Sequence, residues 1–455
     1  MNTPSRSLAV VILAAGKSTR MKSERSKVLH PVAGFSLISH VLQAAQSLKP
    51  ARLVVVVGPD GEAVARAVHP VPTAIQHERL GTGDAVKAAR AALKGFTGDV
   101  LVIYGDSPFL TPATLKKMIR RRRSGAKPPA VVVLGFRPAD PARYGRLVLG
   151  RDGGLERIVE WLEASPEERA IGLCNSGVMV VDGKRLSGFL DKLSNDNAKG
   201  EYYLTDLVGI ARSRGLSAAV IEAPADELLG IDSREGLAQA EGLMQSRLRA
   251  KVMDEGATLV APETVFLAAD TKLGRDVTVH PHVVFGPGVT VGDNTEIRSF
   301  SHLEGAVIGE GAMIGPFARL RPGTRIGAGA HIGNFVELKA TSLGAGAKAN
   351  HLAYLGDASV GAKANIGAGT ITCNYDGILK YQTEIGAGAF TGTNSTLVAP
   401  VRLGAGAYVT AGSVITEDVE SEAMAFGRSR QVVKPGRARE FRAARLAEKE
   451  ARKKA

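Results

Sequence analysis

The sequence predicts two domains of different fold: an α/β domain with a Rossmann-like, mainly parallel sheet, followed by a parallel β-helix of hexapeptide repeats. Three observations support this prediction. The chain has 455 residues, more than a single hydrophobic core normally accommodates. As far as about residue 225, short β-rich runs alternate with amphipathic segments. After about residue 270, glycine becomes frequent and apolar residues recur at every sixth position.

The alternating segments predict strand–helix units. Strands are predicted at Val10–Leu13, Leu53–Val57 and Val100–Tyr104, and helices at Leu37–Leu48 and Thr82–Leu93. Near-continuous apolar strands separated by helices indicate a mainly parallel sheet covered on both faces. Because such sheets bind ligands at the carboxyl ends of their strands, the loops after Leu13 and Tyr104 form the candidate site. A longer helix is predicted over Ser233–Met253, as a linker between the domains.

A six-residue period governs the second half. Its clearest aliphatic positions are Ile308, Ile314, Leu320, Ile326, Ile332 and Leu338, and four of them precede Gly309, Gly315, Gly327 and Gly333. This period is typical of a parallel β-helix, in which three hexapeptides make one coil and the aliphatic side chains point inward. The stretch Asn350–Asp357 interrupts the pattern and predicts a loop or an irregular face. The predicted domains are therefore residues 1–232, a linker helix at 233–253, and a β-helix with a basic tail at 254–455.

Composition narrows the function classes. The two cysteines, Cys174 and Cys373, have no metal-type spacing, so no disulfide or zinc site is expected and a cytoplasmic location fits. The apolar run Leu8–Ala15 is too short for a membrane span and lacks a following cleavage site. A net charge of +13 indicates possible polyanion binding. In the tail Arg437–Lys454, however, acidic residues are interspersed, so specific nucleic-acid binding is not expected.

A phosphate-binding turn is predicted directly after the first strand. The string runs Leu13-Ala14-Ala15-Gly16-Lys17-Ser18-Thr19-Arg20-Met21, and Lys27 follows shortly after. Small residues let the backbone approach a nucleotide, and the N–H groups of the turn can cradle phosphates. Arg20 and Lys27 would then neutralise a triphosphate. For Gly16 alone, an ordinary glycine turn with two solvated cations would explain the residues equally well.

The whole string resembles the sugar-phosphate nucleotidylyltransferases, and later motifs follow the order of that family over some 230 residues. The resemblance assigns the binding of UTP or UDP-N-acetylglucosamine to Leu13, Ala14, Ala15, Gly16, Arg20, Lys27, Gln76, Gly81, Thr82, Tyr104, Gly105, Asp106, Gly145, Glu160, Asn175 and Asp232. It also implies Mg²⁺ on Asp106 and Asp232. Two positions depart from the family: Ser26 replaces the usual Pro before Lys27, and Asp232 replaces the usual Asn. The implied chemistry is in-line attack of a sugar-1-phosphate on the α-phosphorus of UTP.

The run from Arg319 to Asp376 resembles the acetyltransferase half of bacterial bifunctional enzymes that synthesise UDP-N-acetylglucosamine. The resemblance implies a left-handed prism, a homotrimer and acetyl-CoA as co-substrate. His351, which we expect near Glu337 and Asn374, is implied as the general base for the amine of glucosamine-1-phosphate, a role that suits imidazole. Binding of that sugar is implied for Arg321, Lys339, Tyr354 and Asn365, and binding of acetyl-CoA for Ala368, Asn374, Tyr375, Thr393, Ala411 and Arg428. Thr393 stands where Ser is common.

Together the two halves imply acetylation of glucosamine-1-phosphate, then transfer of UMP from UTP, giving UDP-N-acetylglucosamine and pyrophosphate for peptidoglycan and lipopolysaccharide synthesis. Two other interpretations remain open at the level of sequence. The β-helix could be regulatory, as in nucleotidylyltransferases that make ADP-glucose or GDP-mannose, or the chain could be a scaffold resembling exchange subunits of translation factors. The set of residues around His351 argues against both.

Overall fold

The computed structural model describes residues 7–454, which form two structural units. The first unit ends at Lys251 and also includes Leu267–Ala269. The second unit contains Val252–Phe266 and continues from Asp270. Among the described residues, none of the helices is long and apolar enough to cross a membrane.

The first unit is a layered α/β structure. Its strands are β1 Leu8–Leu13, β2 Pro31–Val32, β3 Phe35–Ser36, β4 Arg52–Val57, β5 Thr73–Ile75, β6 Asp99–Tyr104, β7 Val131–Phe136, β8 Arg146–Leu149, β9 Leu155–Val159, β10 Cys174–Asp182 and β11 Ala218–Glu222. Its α-helices are α1 Leu37–Ser47, α2 Glu62–Val68, α3 Thr82–Ala88, α4 Arg90–Leu93, α5 Pro112–Arg123, α6 Pro166–Arg169, α7 Gly183–Leu190, α8 Leu207–Ser213 and α9 Arg234–Asp254. Short 3-10 turns occupy Thr19–Met21, Lys27–Leu29, Leu204–Asp206 and Ala225–Glu227.

The main sheet has the order β11-β7-β10-β6-β1-β4-β5, and the β8–β9 hairpin extends from β10. Strand β1 lies between β4 and β6 and is parallel to both. All six of its residues are buried, as expected for a strand covered on both faces. Strand β10 is antiparallel to β6 and β7, so the predicted mainly parallel sheet is confirmed with one reversed strand in its centre.

The predicted elements of the first unit are present with shifted ends. The expected helix over Thr82–Leu93 is divided into α3 and α4 at Ala89, which is fully buried. The long helix is confirmed as α9, and Ser233 caps it because the Ser233 hydroxyl accepts a hydrogen bond from the Gly236 N–H at 3.1 Å. As far as Lys251, helix α9 belongs to the first unit, where the Gln245 side chain bonds both the N–H and the carbonyl oxygen of Leu267; its last three residues belong to the second unit.

The second unit is a three-faced parallel β-helix. Its first face contains Thr258–Leu259, Thr278–Val279, Glu296–Ile297, Met313–Ile314, His331–Asn334, Lys348–His351, Asn365–Ile366, Phe390–Thr391, Tyr408–Val409 and Met424–Ala425. The second face contains Val284–Phe285, His302–Leu303, Arg319–Leu320, Glu337–Lys339, Tyr354–Gly356, Ile371–Cys373, Thr396–Val398 and Val414–Ile415. The third face contains Lys272–Leu273, Thr290–Val291, Ala306–Ile308, Thr324–Ile326, Ser342–Leu343, Ala358–Val360, Thr383–Ile385 and Val401–Leu403.

The six-residue aliphatic positions fill the interior of this prism, as predicted. Ile314 and Ile332 on the first face and Leu320 and Leu338 on the second face are completely buried. The glycines that follow such positions have a packing reason: a Cβ atom on Gly327 would lie 2.6 Å from the Ala345 nitrogen of the next coil. The coils therefore stack too closely for a side chain at that position.

The predicted irregularity at Asn350–Asp357 is wrong. These residues include the strands Lys348–His351 and Tyr354–Gly356, which stay in register with the coil before them. The chain instead protrudes between Cys373 and Thr383. There the Asp376 carboxylate accepts hydrogen bonds from the N–H groups of Ile378 and Leu379, and Gly377 has a φ of 101°. The loop interrupts the six-residue spacing between the buried residues Thr372 and Ile385, while the strands on either side of it keep their pairing with neighbouring coils.

The basic tail forms an exposed helix, α10, over Arg437–Lys454. Glutamates along its length pair with neighbouring arginines, as in the Arg445–Glu448 and Arg452–Glu448 contacts of 2.6 Å. This arrangement matches the predicted solvated helix with interspersed charges.

Candidate active sites

The first candidate site lies at the carboxyl ends of β1 and β6. Leu13 and Tyr104 are paired directly across these two strands, which brings together the loops that follow them. A cavity of about 450 Å³ opens there. Ten of the predicted nucleotide-site residues line it: Leu13, Ala14, Ala15, Gly16, Lys27, Gln76, Gly81, Thr82, Tyr104 and Asp106. Gly105 lies beside it, since its N–H donates to the Leu13 carbonyl oxygen at 2.9 Å.

The turn after β1 is held from its flanks. The Ala14 N–H donates to the Val56 carbonyl oxygen at 2.8 Å, and the Ser18 hydroxyl accepts a hydrogen bond from the Lys27 N–H at 2.6 Å. Within residues 7–454, the N–H groups of Gly16, Lys17 and Ser18 donate no hydrogen bond. Consecutive unpaired N–H groups beside a cavity form an anion-binding concavity. The turn is therefore chemically suited to phosphate.

The side-chain amide of Gln76 is buried, and its hydrogen-bond partners determine its orientation. Its Nε2 atom donates to the Gly81 carbonyl oxygen at 2.9 Å and to the Asp84 carboxylate at 2.8 Å. Both partners are acceptors, so the nitrogen must face them. Only the Oε1 atom of Gln76 remains for a ligand, and it can accept a hydrogen bond but cannot donate one. Gly81 has a φ of 98°, and a Cβ atom there would lie 2.8 Å from the Tyr202 carbonyl oxygen, so this position requires glycine.

Two aspartates at this end of the sheet pair with cations. Asp106 forms an ion pair with Lys27, and the Asp232 carboxylate lies 2.7 Å from the Arg20 guanidinium. The Ile231 N–H donates to the Asp106 carbonyl oxygen at 3.1 Å, which brings the two aspartate segments together. Because Ser233 and not Asp232 caps helix α9, the Asp232 carboxylate is not needed as a helix cap.

The donor set of these aspartates fits Mg²⁺. Carboxylate oxygens are hard ligands, and Mg²⁺ is usually held by one or two carboxylates together with substrate phosphates. In residues 7–454, no cluster of three or more His, Cys, Asp or Glu side chains is arranged to hold a metal ion alone. A metal at Asp106 and Asp232 would therefore need phosphate oxygens to complete its coordination.

Of the remaining predicted residues of the first site, Glu160 lies near Tyr104. Burial raises the pKa of the Tyr104 phenol, and the carboxylates of Asp106 and Glu160 raise it further. The pKa of Glu160 is also raised, chiefly by burial, although the Thr205 hydroxyl donates to it at 3.2 Å. Gly145 and Asn175 meet through a backbone hydrogen bond of 2.8 Å. Arg20, Gly145, Glu160, Asn175 and Asp232 do not line the cavity itself.

Sequence reasoning missed several residues around this site. Lys17, Arg79 and Glu201 also line the cavity. Asp206 lies farther along the chain, and burial together with the Glu163 and Glu160 carboxylates raises its pKa to about 6. Arg79 could have been noticed because it lies between Gln76 and Gly81, but no local pattern marks Glu201 or Asp206.

The second candidate site begins at His351, an exposed side chain at the end of a first-face strand. The His351 Nδ1 atom lies 2.8 Å from the Asn334 Oδ1 atom, on the preceding coil. Among the described residues, the His351 ring is hydrogen-bonded to Asn334 and not to Glu337 or Asn374. Glu337 instead accepts from Arg321 at 3.0 Å, and Asn374 donates to Asp357.

A column of small residues continues below His351. Backbone hydrogen bonds join successive coils: the Gly369 N–H donates to the His351 carbonyl oxygen, the Asn394 N–H to that of Ala368, and the Gly412 N–H to that of Thr393. The predicted acetyl-CoA residues Ala368, Thr393 and Ala411 each lie in this column, directly before those donors. Arg428 lies near Gly412, the last residue of this column: a Cβ atom on Gly412 would be 3.7 Å from the Arg428 Cδ atom. Tyr375 lies on the protruding loop and is 57% exposed.

The predicted sugar-phosphate residues lie on two faces of the prism. Arg321, Lys339 and Tyr354 follow or belong to second-face strands, whereas Asn365 lies on the first face. Lys339 is held by the Asp357 carboxylate at 2.9 Å, and this partner raises the pKa of the Lys339 ammonium. One prism thus divides these four residues between two surfaces.

Comparison with protein families matches both halves. The model for MobA-like NTP transferase domains matches residues 10–172. The model for bacterial transferase hexapeptide repeats matches residues 270–305 and 305–340.

Full-length relatives match the chain as a whole. The bifunctional protein GlmU of Paramagnetospirillum magneticum is 58% identical, over 98% of this chain and 99% of its own length. That of Rhodospirillum rubrum is 59% identical, over 96% and 97% respectively. That of Jannaschia sp. is 52% identical over the whole of both chains.

Proposed function

The chain belongs to the family of bifunctional GlmU proteins. On that premise, we propose which of its two sites carries out each of the two transfer reactions. The protein is a bifunctional transferase with uridylyltransferase and acetyltransferase activities. It acetylates glucosamine-1-phosphate with acetyl-CoA and then transfers UMP from UTP to N-acetylglucosamine-1-phosphate. The products are UDP-N-acetylglucosamine and pyrophosphate.

We propose that uridylyl transfer takes place in the cavity beside β1 and β6. The unpaired N–H groups of Gly16, Lys17 and Ser18 bind phosphate oxygens, and Lys27 adds a positive charge beside them. Gln76 accepts the N3–H group of uracil through its Oε1 atom. Such transfer depends on positioning and charge neutralisation and needs no protein nucleophile.

The sugar phosphate would enter from the side of Gly145, Glu160 and Asn175. Asp106 and Asp232 would hold Mg²⁺, which supplies positive charge to the phosphates when it is bound. Arg20 is the ion-pair partner of Asp232 and keeps that carboxylate oriented. Among the uridylyl-site residues, Leu13, Ala14, Ala15, Gly81, Thr82 and Gly105 contribute backbone or small side chains that allow close approach.

Acetyl transfer would take place beside His351. Because the Asn334 oxygen can only accept, the His351 Nδ1 atom carries the proton and the Nε2 atom keeps its lone pair. We propose that this Nε2 atom removes a proton from the amine of glucosamine-1-phosphate as the amine attacks the thioester carbonyl; the C–S bond then breaks and coenzyme A leaves as its thiolate, which can take up that proton. Arg321, Lys339, Tyr354 and Asn365 would bind the sugar phosphate. The column below His351 and Arg428, with Asn374 and Tyr375, would bind acetyl-CoA.

We also propose a homotrimer in the cytoplasm. A site that uses Asn365 together with Arg321, Lys339 and Tyr354 needs residues from two faces, which adjacent prisms can supply. Both cysteines are free thiols, which suits a reducing compartment. Sizing by light scattering tests the assembly, and a monomer with full acetyl transfer would contradict it.

The observation that carries the proposal is the coexistence in one chain of a phosphate-binding turn and a hydrogen-bonded exposed histidine. The test is to incubate the protein with glucosamine-1-phosphate, acetyl-CoA, UTP and Mg²⁺ and to measure UDP-N-acetylglucosamine. Omitting acetyl-CoA should stop product unless N-acetylglucosamine-1-phosphate is added. His351→Ala should lower acetyl transfer by roughly 10²–10⁴-fold and leave uridylyl transfer unchanged. A folded variant that loses both activities equally would refute the assignment of the sites.

A further inference from the structure

Arg79 contacts the phosphate-binding turn at Ala15, the second residue after β1. Its Nε atom donates to the Ala15 carbonyl oxygen at 2.7 Å, and its Nη2 atom forms an ion pair with Asp60. The Arg79 side chain is only 21% exposed. The guanidinium therefore joins the turn after β1 to the loop after β4. Its planar donor groups suit two partners in different directions.

The turn needs such a support because it has open space on both sides. One side faces the nucleotide cavity of about 450 Å³, and the other faces a second cavity of about 650 Å³. Gly16, Lys17 and Arg79 line both cavities. Packing alone does not decide which cavity the N–H groups of the turn face.

Peptide geometry connects the Arg79 contact to the unpaired N–H groups. In a trans peptide, the carbonyl oxygen of Ala15 and the N–H of Gly16 point in opposite directions. Holding the Ala15 oxygen against Arg79 therefore directs the Gly16 N–H away from Arg79. The same contact fixes the peptide plane that begins the run of unpaired donors at Gly16, Lys17 and Ser18.

The backbone around Arg79 is specialised for this contact. Arg79 has a φ of 51°, a left-handed conformation that few non-glycine residues adopt. Gly58 leaves room for the guanidinium, since a Cβ atom there would lie 2.2 Å from the Arg79 Nη2 atom. Unfavourable backbone geometry that persists beside a candidate site is a reason to look for a function.

We infer that Arg79 is a positioning residue for uridylyl transfer, which holds the turn so that its N–H groups face the phosphates of the nucleoside triphosphate. The inference rests on the proposed placement of that reaction in this cavity. It differs from a direct role as a third cation, in which the charge of Arg79 alone would matter. Arg79 should therefore affect ligands that place phosphates on the turn, namely UTP and pyrophosphate.

The experiment uses the full-length protein with three variants. Arg79→Gln removes the guanidinium, and Arg79→Lys keeps a positive charge but not the planar pair of donors. Gly58→Ala displaces the guanidinium without replacing Arg79. The fold can accept this substitution because the end of the Arg79 side chain is flexible and can move away from the new Cβ atom. Arg66→Gln is the matched control, because Arg66 is exposed and pairs only weakly with Glu62, at 3.6 Å. Fluorescence of Trp161, which lies in the first unit with the substituted residues, controls for the folding of that unit, and acetyl transfer controls for the second unit.

We expect Arg79→Gln and Gly58→Ala to raise the KM for UTP, and that for pyrophosphate in the reverse reaction, by roughly 10- to 100-fold. The KM for N-acetylglucosamine-1-phosphate and the rate of acetyl transfer should not change. Arg79→Lys should remain impaired, and Arg66→Gln should match the wild type.

Three results would overturn the inference. The first is an unchanged KM for UTP in Arg79→Gln, and the second is a wild-type KM for UTP in Arg79→Lys. The third is an equal rise in the KM for UTP and for N-acetylglucosamine-1-phosphate, which would indicate general disruption of the first unit. A wild-type protein without uridylyl transfer, or a Lys27→Ala variant with normal KM for UTP, would instead refute the proposed site itself.

Discussion

Asn334 accepts a hydrogen bond of 2.8 Å from the His351 Nδ1 atom, between adjacent coils of the β-helix. The two residues are 17 positions apart in sequence. They lie opposite each other in two paired parallel strands, and this pairing sets the distance between their side chains. This contact decides which ring nitrogen is available as a base. It also gives the imidazole a fixed orientation at an otherwise exposed corner.

Replacing Asn334 should therefore impair acetyl transfer without removing the base. We expect Asn334→Ala to lower kcat for acetyl transfer by roughly tenfold, because the ring loses its orientation and its preferred tautomer. In Asn334→Asp, the carboxylate would stabilise the imidazolium, so the acidic limb of the pH–rate profile should move to higher pH. Steady-state rates across pH measure both effects. Identical profiles in all three proteins would show that Asn334 does not act on His351.

Asp232 should control the Mg²⁺ requirement of uridylyl transfer. Asp232→Asn, which restores the residue usual in the family, should stay active but need more Mg²⁺ for half-maximal rate, because an amide is a weaker ligand than a carboxylate. Asp232→Ala should be much less active. Titration of Mg²⁺ against the rate measures this. Unchanged midpoints in both variants would remove Asp232 from the metal site.

Asp84 should control the choice between uracil and cytosine. Its carboxylate accepts from the Gln76 nitrogen and so leaves the Gln76 oxygen for a ligand. An oxygen can accept the N3–H of uracil, but cytosine has an acceptor at N3. Asp84→Asn keeps only the Gly81 carbonyl oxygen as an obligatory acceptor and adds an amide donor that can bond the Gln76 oxygen, so the flipped Gln76 amide becomes accessible. The ratio of kcat/KM for UTP over CTP should then fall by about tenfold or more.

Rates with both nucleotides test this prediction, and the fluorescence of Trp161 in the same variant controls for the folding of the first unit. A ratio equal to that of the wild type would mean that Gln76 does not select the base.

Asp206 should make the first unit less stable as pH rises. Burial, with the Glu163 and Glu160 carboxylates, raises its pKa from 3.8 to about 6 in the folded protein. The folded state thus holds this proton more tightly than the unfolded state. Stability from this group is greatest below pH 3.8 and is lost as pH rises through about 6. Asp206→Asn should remove this decline and be more stable than the wild type at about pH 7.

Trp161 is the only tryptophan in the chain, so its fluorescence follows unfolding of the first unit alone. Unfolding curves at several pH values therefore measure the effect. Asp196→Asn is the control, because Asp196 is exposed. Parallel pH profiles for the wild type and Asp206→Asn would contradict the prediction.

The sequence by itself determined the two architectures and most of the first site. The spacing of apolar residues is a local property of the sequence. The apolar runs of β1 and β6 and the six-residue aliphatic repeat can therefore be recognised without knowing any long-range contact. The turn after Leu13 is contiguous in sequence, so its small residues and cations could be identified together. Their roles as ligand contacts remain predictions.

Only the tertiary structure decided the relationships that depend on which segments meet. The contact of Arg79 with Ala15 spans 64 residues, and no local pattern encodes it. The Asn334–His351 bond depends on the stacking register of two coils, so sequence reasoning, which expected His351 near Glu337 and Asn374, did not identify Asn334 as its hydrogen-bond partner. The raised pKa of Asp206 depends on burial and on carboxylates brought close by folding. Desolvation and charge proximity are properties of three-dimensional packing, so the sequence could not supply them.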